Sequence, residues 1–485
     1  MSEEAVTTKG FFASKKSQYI NIIVMLCIMI FFRFIPPFGA MTKEGMAVLG
    51  VFLGTVYGWL TIPSIAFGSV AGMIMMGTTF LYDGVGASVS AAMGNQNVVM
   101  IMMCFAVSAV MGDSGASDYL AKKIISAKIG RNNSTLLLFL FAVAGIIVSP
   151  FAGLAFVFLM WDLWRSVCEQ GGASEGFKKF GISTIMVSVC LANQCYPFTA
   201  GIIVFDGVWN SVSGLPAAPF VNFLVYMLSM TFVITILFII AGKYLLKIKF
   251  MDASNVEIQP TKATPYMKFV LCEVLAMIVL MALSSFNLGP VSAYLKTWGL
   301  TGLALAVIVV NVFVNPKGST PTIQGLMSKY VSWDLLFTMG MVMMLAMNMS
   351  NEEIGLGATI QGALSFLTNL GPAPFVLIIC LIPLVVTQYL SNMTMGVIFI
   401  ALGYTFGTKL GLNTYALNCS FYCLTCAALA SPAGSLGASM YYGQPEIDKG
   451  TGAKHGWVFV VLTYVVCLIW YFLFGNLFFP ASLLG

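Results

Sequence analysis

Four short stretches of this sequence combine Pro or Gly with Ser, Thr, Asn or Gln inside strongly apolar surroundings. They are Ser149 to Gly153, Ala192 to Ala200, Gln388 to Gly396 and Ser431 to Gly437. Pro and Gly interrupt a helical hydrogen-bond ladder and free backbone groups, and the polar side chains add neutral ligands. Carbonyl and hydroxyl oxygens serve hard cations such as sodium. Amide and hydroxyl donors, with helix amino-terminal dipoles behind them, serve anions. The pattern therefore suits a weakly held cation beside a small anion. No carboxylate lies in any of the four stretches, which argues against a proton relay through a buried acid. The bland alternative is that Pro and Gly kink spans while Ser and Thr bond their own helix; it explains one isolated break better than four in matched pairs.

The elements that must carry these breaks are set by composition. Of 485 residues, 59% are hydrophobic and 8% charged, against about 25% charged in a typical soluble domain. Lipid is the solvent such a chain requires. The expected fold is an all-α polytopic membrane protein with about 11 transmembrane helices plus two re-entrant hairpins, in two inverted-topology repeats. Spans are predicted near Ile20 to Pro36, Gly45 to Leu60, Pro63 to Leu81, Val98 to Gly112, Gly181 to Phe205, Phe220 to Leu246, Met267 to Phe286, Leu300 to Val314, Leu335 to Met349, Ala416 to Tyr441 and Gly456 to Phe478. The hairpins are predicted over 132–165, joined at Ser149-Pro150, and over 372–408, joined at Thr387 to Thr394, because each is a pair of runs too short to cross alone.

This divides the chain into 1–43 (tail and first span), 44–246 (first repeat), 247–265 (polar linker) and 266–485 (second repeat). The duplication shows in near-constant offsets. Ser350 pairs with Ser114 at 236 (350 minus 114), Ser391 with Ser149 at 242 (391 minus 149) and Ala428 with Ala192 at 236 (428 minus 192). With the amino terminus cytoplasmic and the carboxyl terminus outside, 19 of the 23 basic residues fall on the cytoplasmic side, as the positive-inside rule expects of a cytoplasmic membrane protein.

Other candidates take structural readings. Arg33, Asp113, Asp162, Arg165, Asp206, Glu273 and Asp334 sit near predicted span ends, where snorkelling or capping explains them; Asp162 and Arg165 are spaced for an ion pair. Gly50, Gly54, Gly58 and Gly68, Gly72 form small-residue stripes for close helix packing. Ser350 to Glu353 has capping-box spacing. Cys419, Cys423 and Cys426 share a helical face, and with His455 the single histidine, thiol packing outweighs a metal site. No hydrolase, metalloprotease or nucleotide-binding motif is present, so no enzyme activity and no cofactor are expected. The net charge of +5 has no basic tract behind it, which gives nucleic acid no argument.

The order of span, arm, hairpin with a Ser-Asn-x-Thr-like tip and interrupted span, twice over from about Gly45 to Phe478, resembles the divalent anion/sodium symporters, the solute carrier 13-like permeases of the ion transporter superfamily. In that family a Ser-Asn-Thr triplet at each hairpin tip, with the interrupted helix beside it, binds sodium and the substrate carboxylate. Ser391-Asn392-Met393-Thr394 looks like that motif with one residue inserted, and Ser431-Pro432-Ala433-Gly434-Ser435 is similar to the family's small-residue and proline break. Ser149-Pro150-Phe151 keeps the serine and lacks the Asn and Thr, which fits a substrate with one carboxylate or a reduced ion stoichiometry.

The resemblance implies sodium-coupled symport of a small mono- or dicarboxylate by an elevator-like homodimer. Sodium ligands would be Ser391, Asn392, Thr394, Ser431, Pro432, Gly434 and Ser149; substrate contacts would be Ser149, Asn193, Gln194, Thr199, Ser391, Asn392, Thr394 and Ser435. The competing expectations are an inorganic-ion exporter of the same superfamily (a sodium/proton antiporter or arsenite permease) and, more remotely, an intramembrane enzyme or sensor.

Overall fold

The computed structural model describes residues 15–62, 64–127, 130, 132–152, 156–251, 262–286, 288–314, 323–349, 351–363, 369–389, 392–432 and 434–480. Among them every regular element is helical. In chain order the α-helices are α1 (Lys15–Phe31), α2 (Lys43–Thr61), α3 (Ile65–Met76), α4 (Val85–Met93), α5 (Gln96–Asp113), α6 (Ala116–Ile125), α7 (Ser134–Ala152), α8 (Phe156–Gln170), α9 (Glu175–Ala192), α10 (Ala200–Ser213), α11 (Phe220–Tyr244), α12 (Pro265–Ser284), α13 (Pro290–Val314), α14 (Ile323–Tyr330), α15 (Trp333–Met349), α16 (Leu356–Ala363), α17 (Pro372–Val386), α18 (Asn392–Lys409), α19 (Thr414–Cys426), α20 (Leu436–Tyr442) and α21 (Lys449–Phe478).

Eight described helices are long and apolar enough to cross a membrane, and the chain is an all-α, multi-pass membrane protein. Seven of the eight coincide with expected spans; α3 and α15 are shorter apolar helices. The eighth, α7, is the first arm of the expected hairpin 132–165, and here the sequence expectation is corrected. The arm does not stop at Ser149-Pro150 but runs through both to Ala152. Pro150 lies in the last turn, so it removes one ladder donor where the helix is already ending, and Phe151 beyond it is held by aromatic contacts described below. The second hairpin is tighter than expected: α17 ends at Val386 and α18 already begins at Asn392. Within each hairpin the two arms pack on one another. The expected capping box at Ser350 lies outside the described residues.

The chain forms two compact units. The first comprises Met1–Val99, Asn210–Gly214 and Ser332–Gly371; the second comprises Met100–Trp209, Leu215–Val331 and Pro372–Gly485. In the first, Gly50, Gly54 and Gly58 of α2 lie against Phe32, Met29 and Met25, the close packing a small-residue stripe permits. The Trp59 indole donates to Ser69 Oγ (2.9 Å), whose hydroxyl donates on to Thr338 Oγ1 (3.3 Å), tying α2, α3 and α15. Arg33 sits in the turn after α1 and donates to Thr78 Oγ1 (2.9 Å).

The second unit packs α7 on α9, α9 on α11, and α21 on both α11 and α19. Trp164 of α8 meets Phe141 and Phe177 edge-on at 5.1 and 5.3 Å and donates to Lys178 O (3.1 Å). Arg165 does form the expected pair with Asp162 (2.8 Å), and it also grips Glu446 with two hydrogen bonds of 2.8 and 3.0 Å and Gln444 at 2.7 Å. Lys179 pairs with Asp448 (2.9 Å), the amino-terminal cap of α21. The Arg165 guanidinium holds the Glu446 carboxyl below its ordinary range.

Candidate functional site

The site is built in the second unit from two helix interruptions. The first separates α9 from α10 over residues 193–199. Its loop is closed from within: the Thr199 hydroxyl lies 2.6 Å from Asn193 O and 2.9 Å from Tyr196 O. Asn193 bonds back to its own helix through Val189 O (3.3 Å). Gln194 is fully buried, donates to Thr231 Oγ1 of α11 (3.2 Å), and leaves its Oε1 without a partner among the described residues. A buried amide oxygen in that state costs about 1–3 kcal/mol.

The first hairpin reaches this loop at its tip. Phe151 packs at a tilt against Phe198 (5.0 Å) and Tyr196 (6.2 Å). Gly145 of α7 meets Ser188 and Val189 of α9; Ser149, one turn on along the same face, is therefore level with the start of the interruption. Its hydroxyl is buried, 3% exposed for the residue, and has no partner among the described residues.

The second interruption separates α19 from α20. The sequence places its start at Ser431, but α19 ends at Cys426, so the break covers 427–435. One side chain accounts for the difference. Gln388, just past α17, donates to Leu384 O (2.9 Å) and Ala427 O (3.0 Å) and accepts from Ala430 N (2.9 Å). It thereby satisfies terminal carbonyls of two helices and an amide of the broken segment. Ser435 repeats what Thr199 does at an offset of 236 (435 minus 199): its hydroxyl closes the loop on Ala428 O (3.1 Å) and also caps α20 through Ala438 N (3.0 Å). Ser439 donates to Pro432 O (2.8 Å) and Tyr442 to Ala430 O (2.9 Å).

Helix α19 joins the two interruptions. Its Tyr422 hydroxyl donates to Asn193 O (3.0 Å) in the first, and its carboxyl end runs into the second five residues later, about 7.5 Å along the axis. Tyr422 reaches across only because position 201 is glycine: a Cβ there would collide with the phenol. At the second tip Thr387 donates to Asn392 Oδ1 (2.8 Å) and lies 3.3 Å from Thr425 O. Of the residues expected at the site, Asn193, Gln194 and Thr199 gather in the first interruption, with Ser149 beside it. Ser431, Pro432, Gly434 and Ser435 gather in the second, with Asn392 at the hairpin that packs on α19. Ser391 lies outside the described residues, as does the side chain of Thr394.

Both interruptions are lined by neutral oxygen and nitrogen atoms, with no Asp, Glu, Lys or Arg in residues 193–199 or 427–435. Among the described residues no cluster of three or more His, Cys, Asp or Glu is placed to hold a metal. The sequence places Gln388 at the start of a break but does not show which backbone groups it holds, and it gives Tyr422 no role. The available signal was a polar stripe on an otherwise apolar helix, Tyr415, Asn418 and Tyr422 at i, i+3 and i+7.

Among solved structures, the YdaH transporter of Alcanivorax borkumensis, whose structure is described as having an unusual topology, superposes with a TM-score of 0.55 at 12% sequence identity, covering 93% of this chain and 97% of that one. The likeness is one of fold. No family model matches the chain, and no curated protein matches it in sequence.

Proposed function

We propose that the protein is a secondary active transporter that couples sodium to the movement of a small organic anion, a mono- or dicarboxylate, across a cytoplasmic membrane. The observation that carries this reading is the pair of hydroxyl-closed helix interruptions meeting along α19, which present neutral oxygens and amides but no fixed charge. Such a site gains its charge from what it binds: a hard cation on carbonyl and hydroxyl oxygens, and an anion drawn by that cation and by helix amino termini.

On this reading Ser391, Asn392 and Thr394, with Ser431 to Ser435, hold the cation, and Ser149, Asn193, Gln194 and Thr199 line the facing wall. The unpartnered Ser149 Oγ and Gln194 Oε1 are then the groups a bound ion or carboxyl would satisfy. The hairpins would move with the second unit in an elevator-like cycle, in a homodimer. A transporter fold shared with YdaH supports the general class.

The test is uptake into liposomes. Purified protein is given labelled mono- and dicarboxylates under an inward sodium gradient, with a proton gradient alone as control. Saturable uptake that collapses when sodium is equalised is the expected result; uptake indifferent to sodium across the panel, from protein shown to be folded, overturns the proposal.

A further inference from the structure

The sequence places Asp206 at a span end, where snorkelling would explain it. The structure corrects this. Asp206 lies on α10, seven residues beyond Thr199 (206 minus 199) or roughly 10 Å along the axis, and it is half-buried rather than reaching for water. Its Oδ1 accepts from the Tyr415 hydroxyl (3.0 Å) and from Asn418 Nδ2 (3.3 Å), both on α19. Among the described residues no Lys, Arg or His forms an ion pair with it. The titratable groups that face it are Tyr415 and Cys419, again both on α19. A carboxylate in an apolar helix with no cation beside it is costly to keep and is retained for a function.

Two further groups beside it are unsatisfied. Asn418 is 3% exposed, and its Oδ1 has no hydrogen-bond partner among the described residues. Trp209, three residues on from Asp206 on α10, has an unpartnered indole N–H and packs edge-on against Tyr415 at 4.9 Å. The pair Asp206 and Asn418 can be satisfied in two ways. With the carboxylate charged, Asn418 donates its amide hydrogen, as seen. With a proton on the carboxyl, a half-turn of the Asn418 amide presents its oxygen as acceptor for the new O–H, while Tyr415 goes on donating. The number of hydrogen bonds is the same in both states, and the terminal amide torsion is soft.

We infer that Asp206 takes up and releases a proton as the protein works, with Asn418 as the positioning residue that accommodates both forms. The proton comes from water, forms one O–H bond on the carboxyl and cancels one negative charge; on release it returns to water and the amide turns back. A hard cation in its place would need several oxygens at once, and of the residues bonded to Asp206 only Asn418 has an uncommitted one. The consequence reaches the interrupted helix because Tyr415, Asn418 and Tyr422 share one face of α19, and Tyr422 holds Asn193 O. A change of charge at Asp206 therefore acts on the same stripe that grips the first break, making transport proton-responsive. That last step rests on the transport reading above; the protonation itself does not.

The experiment is infrared difference spectroscopy on the full-length protein in lipid during a pH titration, wild type against Asp206→Asn, which keeps size and hydrogen-bonding partners. A protonated-carboxyl C=O band that vanishes as the pH is raised, and that is missing at every pH in the variant, is expected. The same band in both proteins, or carboxylate bands that respond to added sodium at fixed pH and not to protons, overturns the inference. In the liposome assay the wild-type uptake rate should vary with pH and the Asp206→Asn rate should lose that variation; an unaltered pH profile also overturns it. Absence of any uptake with the infrared band intact would count against the transport reading alone. Asn418→Leu removes the alternate acceptor and should shift the titration of the band without deleting it.

Discussion

Replacing Gln388 by Ala tests whether one side chain sets the second interruption. Truncation beyond Cβ orphans two backbone groups at once, Leu384 O and Ala430 N, and takes one of two partners from Ala427 O, which keeps Leu429 N (3.1 Å). Residue 388 is fully buried, so water does not replace the lost partners freely. At about 1–3 kcal/mol for each unsatisfied buried group, and taking the low half of that range for the two groups because a loop containing Gly434 can partly relax, the loss is about 2–4 kcal/mol. It is local, since Ala427 to Ser435 is the segment whose bonds are lost. Hydrogen exchange followed by mass spectrometry reads this directly: each 1.4 kcal/mol is a factor of about ten in opening, so amides in peptides covering 427–435 should exchange at least about 25-fold faster in Gln388→Ala. Peptides from Phe177 to Val189 in α9 serve as the internal control and should be unchanged. Unaltered protection at 427–435 would refute the argument that Gln388 holds this break, and a uniform loss along the chain would show that the effect is global rather than local.

Ser149→Ala removes a hydroxyl that has no partner among the described residues, so stability should change by less than about 1 kcal/mol, while sodium-driven uptake should fall; the two are read by thermal melting and the liposome assay. Asn392→Ala loses the acceptor for Thr387, at about 1 kcal/mol, and should weaken the sodium dependence of uptake more than it lowers the melting temperature. Gly181→Ala drives a methyl into the Trp164 indole, an overpacking that should cost about 1–3 kcal/mol in unfolding experiments. Because Arg165 holds the Glu446 carboxyl below its ordinary value of 4.5, that pair stabilises the fold above this value and the stabilisation is lost as pH falls through the lowered one. Melting temperature should therefore drop on the acid side in wild type, and less so in Arg165→Gln.

The sequence was informative about parts and weak about where they end. The interruption at Ala192 to Ala200 was legible because Pro197 and a run of polar residues sit in an apolar helix, and the structure begins and ends it within a residue of that reading. The second interruption and the first hairpin were misplaced for related reasons. Pro150 looks like a stop, yet the helix runs two residues past it, and Phe151 is fixed by Tyr196 and Phe198 from elsewhere in the chain. Ala427 to Ala430 looks like helix, yet Gln388, some forty residues away, supplies the hydrogen bonds that let it leave the helix. Asp162 and Arg165 were readable as a local pair, whereas Glu446, which takes two bonds from the same guanidinium, was not.

What this sequence determined by itself was the solvent and the inventory. With 8% charged residues the chain can only bury its apolar surface in lipid, and lipid allows little besides helices that satisfy their own backbone. It also determined that the four breaks carry neutral polar groups and no charge. The tertiary structure decided which of those groups are already spent and which are free. Thr199 and Ser435 close their own loops, Gln388 is used up by the second break, and Ser149 Oγ and Gln194 Oε1 are left without partners. It also turned Asp206 from a span-end residue into a carboxyl held by Tyr415 and Asn418. Local periodicity cannot carry such information, because whether a polar atom is satisfied depends on donors and acceptors brought by helices distant in the chain.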